Sequence, residues 1–259
     1  MRIKNLLKKT QRKVLFILKP ILIWFFEIET SFLKSLTAYS YKKLFWATWG
    51  IAGNPECFDH HIDLFYLWQK TKNSLWLERG VFGSLAIKRN GKILELACGD
   101  GFNSRNFYSH ISDSVIAVDF DKYAIRLAKR KNKTENVSYL LADIRTAMPD
   151  GDFDNIVWDA AIEHFTENEI DNILKDIKKR LYEKKGVLSG YTIVEKIEGK
   201  SLSQHEYEFK NMADLKRFFT PYFKNVIVFE TIFPERHNLY FWASDGTIPF
   251  SSEWEHWIK

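Results

Sequence analysis

The sequence predicts a doubly wound, Rossmann-like α/β domain preceded by N-terminal helices, and three features carry that prediction. From Gly91 onward, short apolar runs alternate with helical stretches, the pattern of βαβ units and a parallel sheet. A glycine turn, Cys98-Gly99-Asp100-Gly101, follows the first of those runs. Acidic residues recur at the ends of the first three runs: Glu95, Asp119 and Asp143. A chain of 259 residues fits one such domain with an appendage better than two full domains.

The first 50 residues form a separate helical segment. Arg2, Lys4, Lys8, Lys9, Arg12 and Lys13 precede an apolar run over 14–26. Ile3, Leu6, Leu7, Val14, Ile17, Leu18 and Ile21 recur near helical spacing, as in an amphipathic helix. Lys19-Pro20 is expected to bend or end it. The run is too short for a spanning helix, which needs about 20 apolar residues, and no small-residue cleavage site follows it. Two readings stay open. One is a basic, aromatic-rich helix lying on an anionic membrane surface. The other is a helix packed on the domain or on a second subunit.

Charge separates this segment from the rest. Residues 1–48 hold ten Lys and Arg against two acids, whereas the remainder holds 28 against 31. All the excess positive charge is therefore N-terminal. A body built to hold nucleic acid would itself be basic, so no nucleic-acid partner is expected. The two cysteines, Cys57 and Cys98, lack metal-ligand or redox spacing. They suit a reducing compartment, and no metal is expected. The localisation that follows is cytoplasmic, with peripheral attachment to the cytoplasmic face of the membrane on the first reading.

Gly53-Asn54-Pro55 marks a boundary. Residues 51–90 are expected to form a helical cap that contributes to the site, with 56–90 read as helical. The domain proper is placed at 91–245 and a tail at 246–259. Strands are expected at 93–97, 114–118, 137–141, 155–158 and 186–192, with a closing pair at 225–231 and 238–243 around Pro234. One helix is clearly marked. Thr166 and Glu169 make a capping box, Phe165 and Ile170 a hydrophobic staple, and Ile170, Ile173, Leu174, Ile177 and Leu181 a buried stripe.

In an open α/β sheet, ligands sit outside the carboxyl ends of the strands. Glycines at 99 and 101 let the backbone turn sharply and approach a ligand. A carboxylate after the second strand, Asp119, can accept hydrogen bonds from ribose hydroxyls. One after the third, Asp143, can reach an adenine amino group, with Phe120 and Ile144 on the two sides of the ring. Each acid alone is also a common strand-end turn residue.

The arrangement resembles the class I S-adenosylmethionine-dependent methyltransferases over roughly residues 90–245. The family's glycine-rich first motif looks like Glu95 through Gly101, its ribose-binding acid matches Asp119, and its adenine-contacting acid matches Asp143. Its fourth-strand motif is similar to 153–165, which includes Asp159, and its fifth-strand segment to 186–192. The resemblance implies a cofactor, S-adenosyl-L-methionine, and an antiparallel strand at the C-terminus. It places Glu95 and the backbone near Ala97 and Gly99 against the methionine part of that cofactor. Ala97 departs from the family, which most often has glycine there. Arg79 is a candidate partner for the cofactor carboxylate.

Methyl transfer to a hydroxyl also calls for a base, and histidine is the usual choice. His164 follows the fourth strand. His205 follows the fifth, with Glu206 and Tyr207 beside it to orient it or to bind acceptor hydroxyls. The segment Asp159-Ala160-Ala161-Ile162 lacks the Pro-Pro-aromatic signature of nucleic-acid amino methyltransferases, and no Pro-Cys pair is present. The expected acceptor is a glycan, a lipid-linked sugar or another small amphiphile. Two rivals remain. A nicotinamide-dependent oxidoreductase would use Asp119, 20 residues after Gly99, as its ribose acid, but Ser104 replaces its third glycine. A non-catalytic, membrane-associated module with the same fold is the second. Oligomeric state is not legible.

Overall fold

The computed structural model describes residues 2–45, 74–194, 205–234, 236–251 and 254. The chain divides into two compact units, Met1–His60 and His61–Lys259.

The described part of the first unit is a single helix, α1 (Arg2–Phe45), which contains Pro20. Of the two expected outcomes at Lys19-Pro20, a bend or an end, the helix does not end there. A proline in a helix interior removes one backbone hydrogen bond at a cost of about 3 kcal/mol, and α1 continues past it. Over its described middle, the apolar side chains face solvent: Ile21 (61% exposed), Trp24 (63%) and Phe32 (65%) are among them. Among the described residues, no helix is long and apolar enough to cross a membrane. The expected boundary at 53–55, and the helical reading of 56–73, lie outside the described residues.

The described part of the second unit begins with α2 (Leu75–Leu85), so only this part of 74–90 is helical. Then follow β1 (Lys92–Leu96), α3 (Phe102–Asn106), β2 (Ser114–Asp119), α4 (Lys122–Lys131), β3 (Val137–Leu141) and β4 (Asn155–Asp159). The chain closes with α5 (Glu167–Arg180), β5 (Val187–Ile193), α6 (Met212–Phe219), β6 (Asn225–Phe233) and β7 (Arg236–Ser244). The seven strands form one sheet in the order β3-β2-β1-β4-β5-β7-β6. β1 to β5 pair in parallel, and β7 runs antiparallel between β5 and β6. The expected closing pair is thus present and carries the antiparallel strand.

Both faces of the sheet are covered, which explains why the central strands read as unbroken apolar runs. On one face Leu94, Leu96, Ile156, Trp158 and Leu188 pack with α5 and α6. On the other, Ile93, Val115, Ala117 and Val157 pack with Tyr108 and α4. In α5 the Thr166 hydroxyl accepts from the Glu169 amide while the Glu169 carboxylate accepts from the Thr166 amide, closing the capping box. The stripe Ile170, Ile173, Leu174, Ile177 and Leu181 is buried, each residue contributing about 1.5–3 kcal/mol on full burial. α2 is fixed by polar contacts at its end. Asn155 in β4 donates to the Ala86 carbonyl and accepts from the Lys88 amide (2.8 Å), and the Trp242 indole donates to the Phe82 carbonyl (3.1 Å). This anchoring sets Arg79, on the same helix, over the sheet.

Candidate active site

A cleft of about 760 Å³ opens at the carboxyl ends of β1, β2, β3 and β4. The strand order reverses at β1 and β4, where open α/β sheets leave a crevice. The turn after β1 forms one wall. Ala97 (φ 55°), Gly99 (φ 55°) and Gly101 (φ 76°) all adopt left-handed backbone there. This conformation is natural for glycine and costs alanine about 1 kcal/mol. A Cβ built on Gly99 would meet nothing within 4 Å, whereas one on Gly101 would strike the Tyr139 ring at 2.5 Å. Gly99 therefore borders open space and Gly101 a packed core.

The loop's own amides are engaged. Gly99 N donates to Asp119 Oδ2 (2.9 Å), Gly101 N to the Cys98 carbonyl (3.0 Å) and Phe102 N to Asp100 Oδ1 (3.1 Å). A dinucleotide pyrophosphate needs such amides free at a helix N-terminus. Asp119 Oδ1 also accepts from Asp121 N (2.8 Å). Each carboxylate oxygen has a second lone pair, so Asp119, which lines the cleft, retains capacity for ligand hydroxyls.

The other expected residues divide into two groups. Ala97, Gly99, Asp119, Phe120, Asp143, Ile144 and Asp159 line the cleft. Phe120 is exposed (75%) and Ile144 buried. Asp143 is held by Arg145 through Nε (3.0 Å) and Nη2 (2.7 Å), and Arg145 also reaches Glu169 (3.2 Å). Those bonds hold the Asp143 carboxyl below the ordinary carboxylate range. Glu95 and Gly101 lie behind the lining. The Glu95 carboxyl is buried and accepts from the Ser104 hydroxyl. Burial, partly opposed by that bond, pushes its pKa up to about 8.

Arg79 does more than the sequence assigned to it. Its Nε (2.8 Å) and Nη2 (2.6 Å) donate to Asp159 Oδ2, which also accepts from Asn103 Nδ2 (2.9 Å). Burial works against the guanidinium charge, but the Asp159 carboxylate outweighs it and raises the Arg79 pKa further. Asn103 Oδ1 is buried with no hydrogen-bond partner, although Asn103 lines the cleft. An unsatisfied acceptor there suits a donor arriving with a ligand. Cys98 also lines the cleft, but burial holds its thiol pKa far above the ordinary value.

Beyond β4 the cleft continues past Ala160 (φ 52°) and Ala161 to His164 and Phe165. His205 is not in the lining, yet its ring packs edge-on against that of His164, with centroids 5.2 Å apart. Burial, with a smaller contribution from His164, holds the His205 pKa below its ordinary value. The carboxylate beside it is Glu208, whose Oε1 lies 3.8 Å from Nδ1. Glu206 and Tyr207 tie their segment to the end of β4, and the Tyr207 side chain acts otherwise than expected. Their amides donate to the Glu163 carbonyl (3.0 and 3.1 Å). The Tyr207 hydroxyl donates to Asp214 (2.8 Å) and accepts from Arg217 (2.7 Å), facing α6. Sequence reasoning missed Asn103, Arg145 and Glu163. Only Glu163, within the fourth-strand motif, carried a local signal.

The model of the Methyltransferase domain family matches residues 93–184. Over those residues the chain is similar to a methyltransferase domain, and its sheet has the class I methyltransferase fold. Among solved structures, DhpI in complex with SAH has a TM-score of 0.54 and 20% identity, covering 71% of this chain and 88% of its own. The N-methyltransferase NodS from Bradyrhizobium japonicum WM9 has a TM-score of 0.53 and 14% identity, covering 65% and 93%. Its complex with S-adenosyl-L-homocysteine gives 0.52 and 15%, covering 64% and 83%. These likenesses concern the fold. No curated protein matches this chain in sequence.

The residues present fit S-adenosyl-L-methionine. The open space beside Gly99 admits a ligand against backbone, and Asp119 retains acceptor capacity for ribose hydroxyls. Asn103, a cleft-lining residue, carries an unsatisfied Oδ1 that could accept a hydrogen bond from an ammonium donor.

Proposed function

We propose that this protein transfers a methyl group from S-adenosyl-L-methionine to a hydroxyl of a glycan, lipid-linked sugar or other small amphiphile at an anionic membrane surface. Bound in the cleft, the cofactor supplies an electrophilic methyl on a sulfonium. The chain's residues then have three tasks. Asp119 and Asp143, with Phe120 and Ile144, hold the nucleoside part. The Ala97–Gly99 backbone, Asn103 and Asp159 hold the amino-acid part, with Arg79 fixing Asp159 in place. His164, backed by His205, meets the acceptor hydroxyl at the far end of the cleft. Aligning nucleophile and methyl is the main catalytic contribution in such a displacement.

The membrane half of the reading rests on one observation: α1 presents Ile21, Trp24, Phe25, Phe26, Ile28 and Phe32 to solvent, each more than half exposed. Its first 19 residues carry seven Lys and Arg and no acid. Apolar bulk plus clustered cations is what interfacial helices use on anionic lipid. Co-sedimentation with vesicles tests it. The expected result is salt-sensitive binding to phosphatidylglycerol vesicles that is weakened in Trp24→Ser/Phe25→Ser. Failure to sediment with either phosphatidylglycerol or phosphatidylcholine vesicles would refute the membrane half. The acceptor half is tested by transfer of labelled methyl groups to membrane-extracted glycans and lipids, with His164→Ala expected to abolish labelling. Labelling of protein or nucleic acid alone would refute it.

A further inference from the structure

We infer that Glu163, His164 and His205 form a binding site for a divalent transition-metal cation at the acceptor end of the cleft. One carboxylate oxygen and one nitrogen from each imidazole lie within 4.8 Å of one another. The three side chains come from two segments, and backbone hydrogen bonds hold those segments together. Glu163 and His164 sit in the 3₁₀ turn Ile162–His164 that follows β4. The segment carrying His205 is tied to it where the amides of Glu206 and Tyr207 donate to the Glu163 carbonyl (3.0 and 3.1 Å). An isolated bridge between Val194 and Phe209 holds the same segment to the end of β5.

The surroundings are those of a ligand set. The Glu163 carboxylate is buried and oriented by the Thr192 hydroxyl, which donates to Oε2 (2.9 Å). Glu208 Oε1 stands 3.8 Å from His205 Nδ1, a carboxylate near the imidazole of the kind that orients metal-binding histidines once within hydrogen-bond distance. Two imidazoles and one carboxylate select zinc, iron, cobalt or nickel over magnesium or calcium, which prefer all-oxygen sites. Binding would draw the donor atoms to about 3–3.5 Å by side-chain rotation, as metal–ligand bonds of about 2.0–2.2 Å require.

The inference deepens the acceptor-site reading above and rests on it for its role. The imidazoles would meet the acceptor through the cation, which favours an acceptor whose hydroxyl neighbours a second oxygen donor, such as a vicinal diol or a hydroxy acid. Such a pair can chelate, whereas an isolated alcohol cannot.

The test uses the full chain, stripped with chelator and titrated with cobalt(II) chloride. The readouts are visible absorption and calorimetry, with S-adenosylhomocysteine binding measured on the same sample. One equivalent of cobalt should bind with the ligand-field spectrum of a nitrogen- and oxygen-ligated ion, and zinc should displace it. His164→Ala and His205→Ala should each weaken binding at least tenfold. His237→Ala, His60→Ala/His61→Ala and Cys98→Ser should leave it unchanged. Absence of saturable cobalt binding in a sample that binds S-adenosylhomocysteine would overturn the metal site and leave the methyltransferase reading standing. Cobalt binding unaffected by both His164→Ala and His205→Ala would also overturn it. Cobalt binding that depends on those histidines, without S-adenosylhomocysteine binding, would support the metal site and count against the cofactor reading.

Discussion

Gly99 and Gly101 are two residues apart and share a left-handed backbone (φ 55° and 76°), yet alanine should act on them in different ways. At Gly99 a new Cβ meets no atom within 4 Å. The stability cost is then the backbone conformation alone, about 1 kcal/mol. A loss of that size lowers the melting temperature of a domain this large by about 2–4 °C. At Gly101 the Cβ comes within 2.5 Å of the Tyr139 ring, and that ring is pinned by its hydroxyl's bond to the Asn132 carbonyl (2.8 Å). Overpacking of about 1–3 kcal/mol adds to the backbone cost there. Binding should follow the opposite order to stability. The methyl of Gly99→Ala projects into the space assigned to the cofactor and should weaken S-adenosylhomocysteine at least tenfold, or about 1.4 kcal/mol. Thermal unfolding and calorimetric titration of both variants would separate the two effects. Wild-type affinity in Gly99→Ala, or equal stability of the two variants, would refute the reasoning.

Two further predictions concern the buried charges. The Glu95 carboxyl is pushed up from 4.5 to about 8 by burial, so the folded protein holds a proton that the unfolded chain has released. Its contribution to stability is complete below pH 4.5 and is lost as pH rises to 8, a matter of a few kcal/mol. Glu95→Gln should flatten that dependence in denaturant unfolding between pH 5 and 8.5, and an unchanged slope would count against it. Arg79→Leu should cost about 3–5 kcal/mol, because it leaves the Asp159 carboxylate buried without its cation. Adding Asp159→Asn should recover part of that loss, and purely additive effects in chemical denaturation would contradict the pairing.

The sheet was legible because strands covered on both faces must be apolar along their length. The runs at 93–97 and 155–158 therefore stand out in the sequence as largely apolar, whereas β3, an edge strand with Leu140 and Leu141 exposed, was legible from its place in the βαβ alternation. α5 was legible from its cap, since the Thr166–Glu169 box is a local signal. Asp119 and Asp143 were legible from position, because a strand end fixes where its next residue points. The missing parts depend on contacts across long stretches of chain. Nothing local to Arg79 or Asp159 announces a pair 80 residues apart. His205 lies far along the chain from Glu163 and His164, so no metal-ligand spacing exists to be read. Tyr207 misled because proximity in sequence to His205 does not fix where its side chain points, and Arg217 and Asp214 hold it toward α6.

Calorimetric titration with S-adenosylhomocysteine, run on the wild type and on Asp119→Ala with NAD(H) in parallel, tests the central claim most directly. Saturable binding to the wild type, lost in a folded Asp119→Ala, and no response to NAD(H), is the predicted result. A folded wild-type protein that ignores S-adenosylhomocysteine, or an Asp119→Ala variant that binds it with undiminished affinity, would contradict the account.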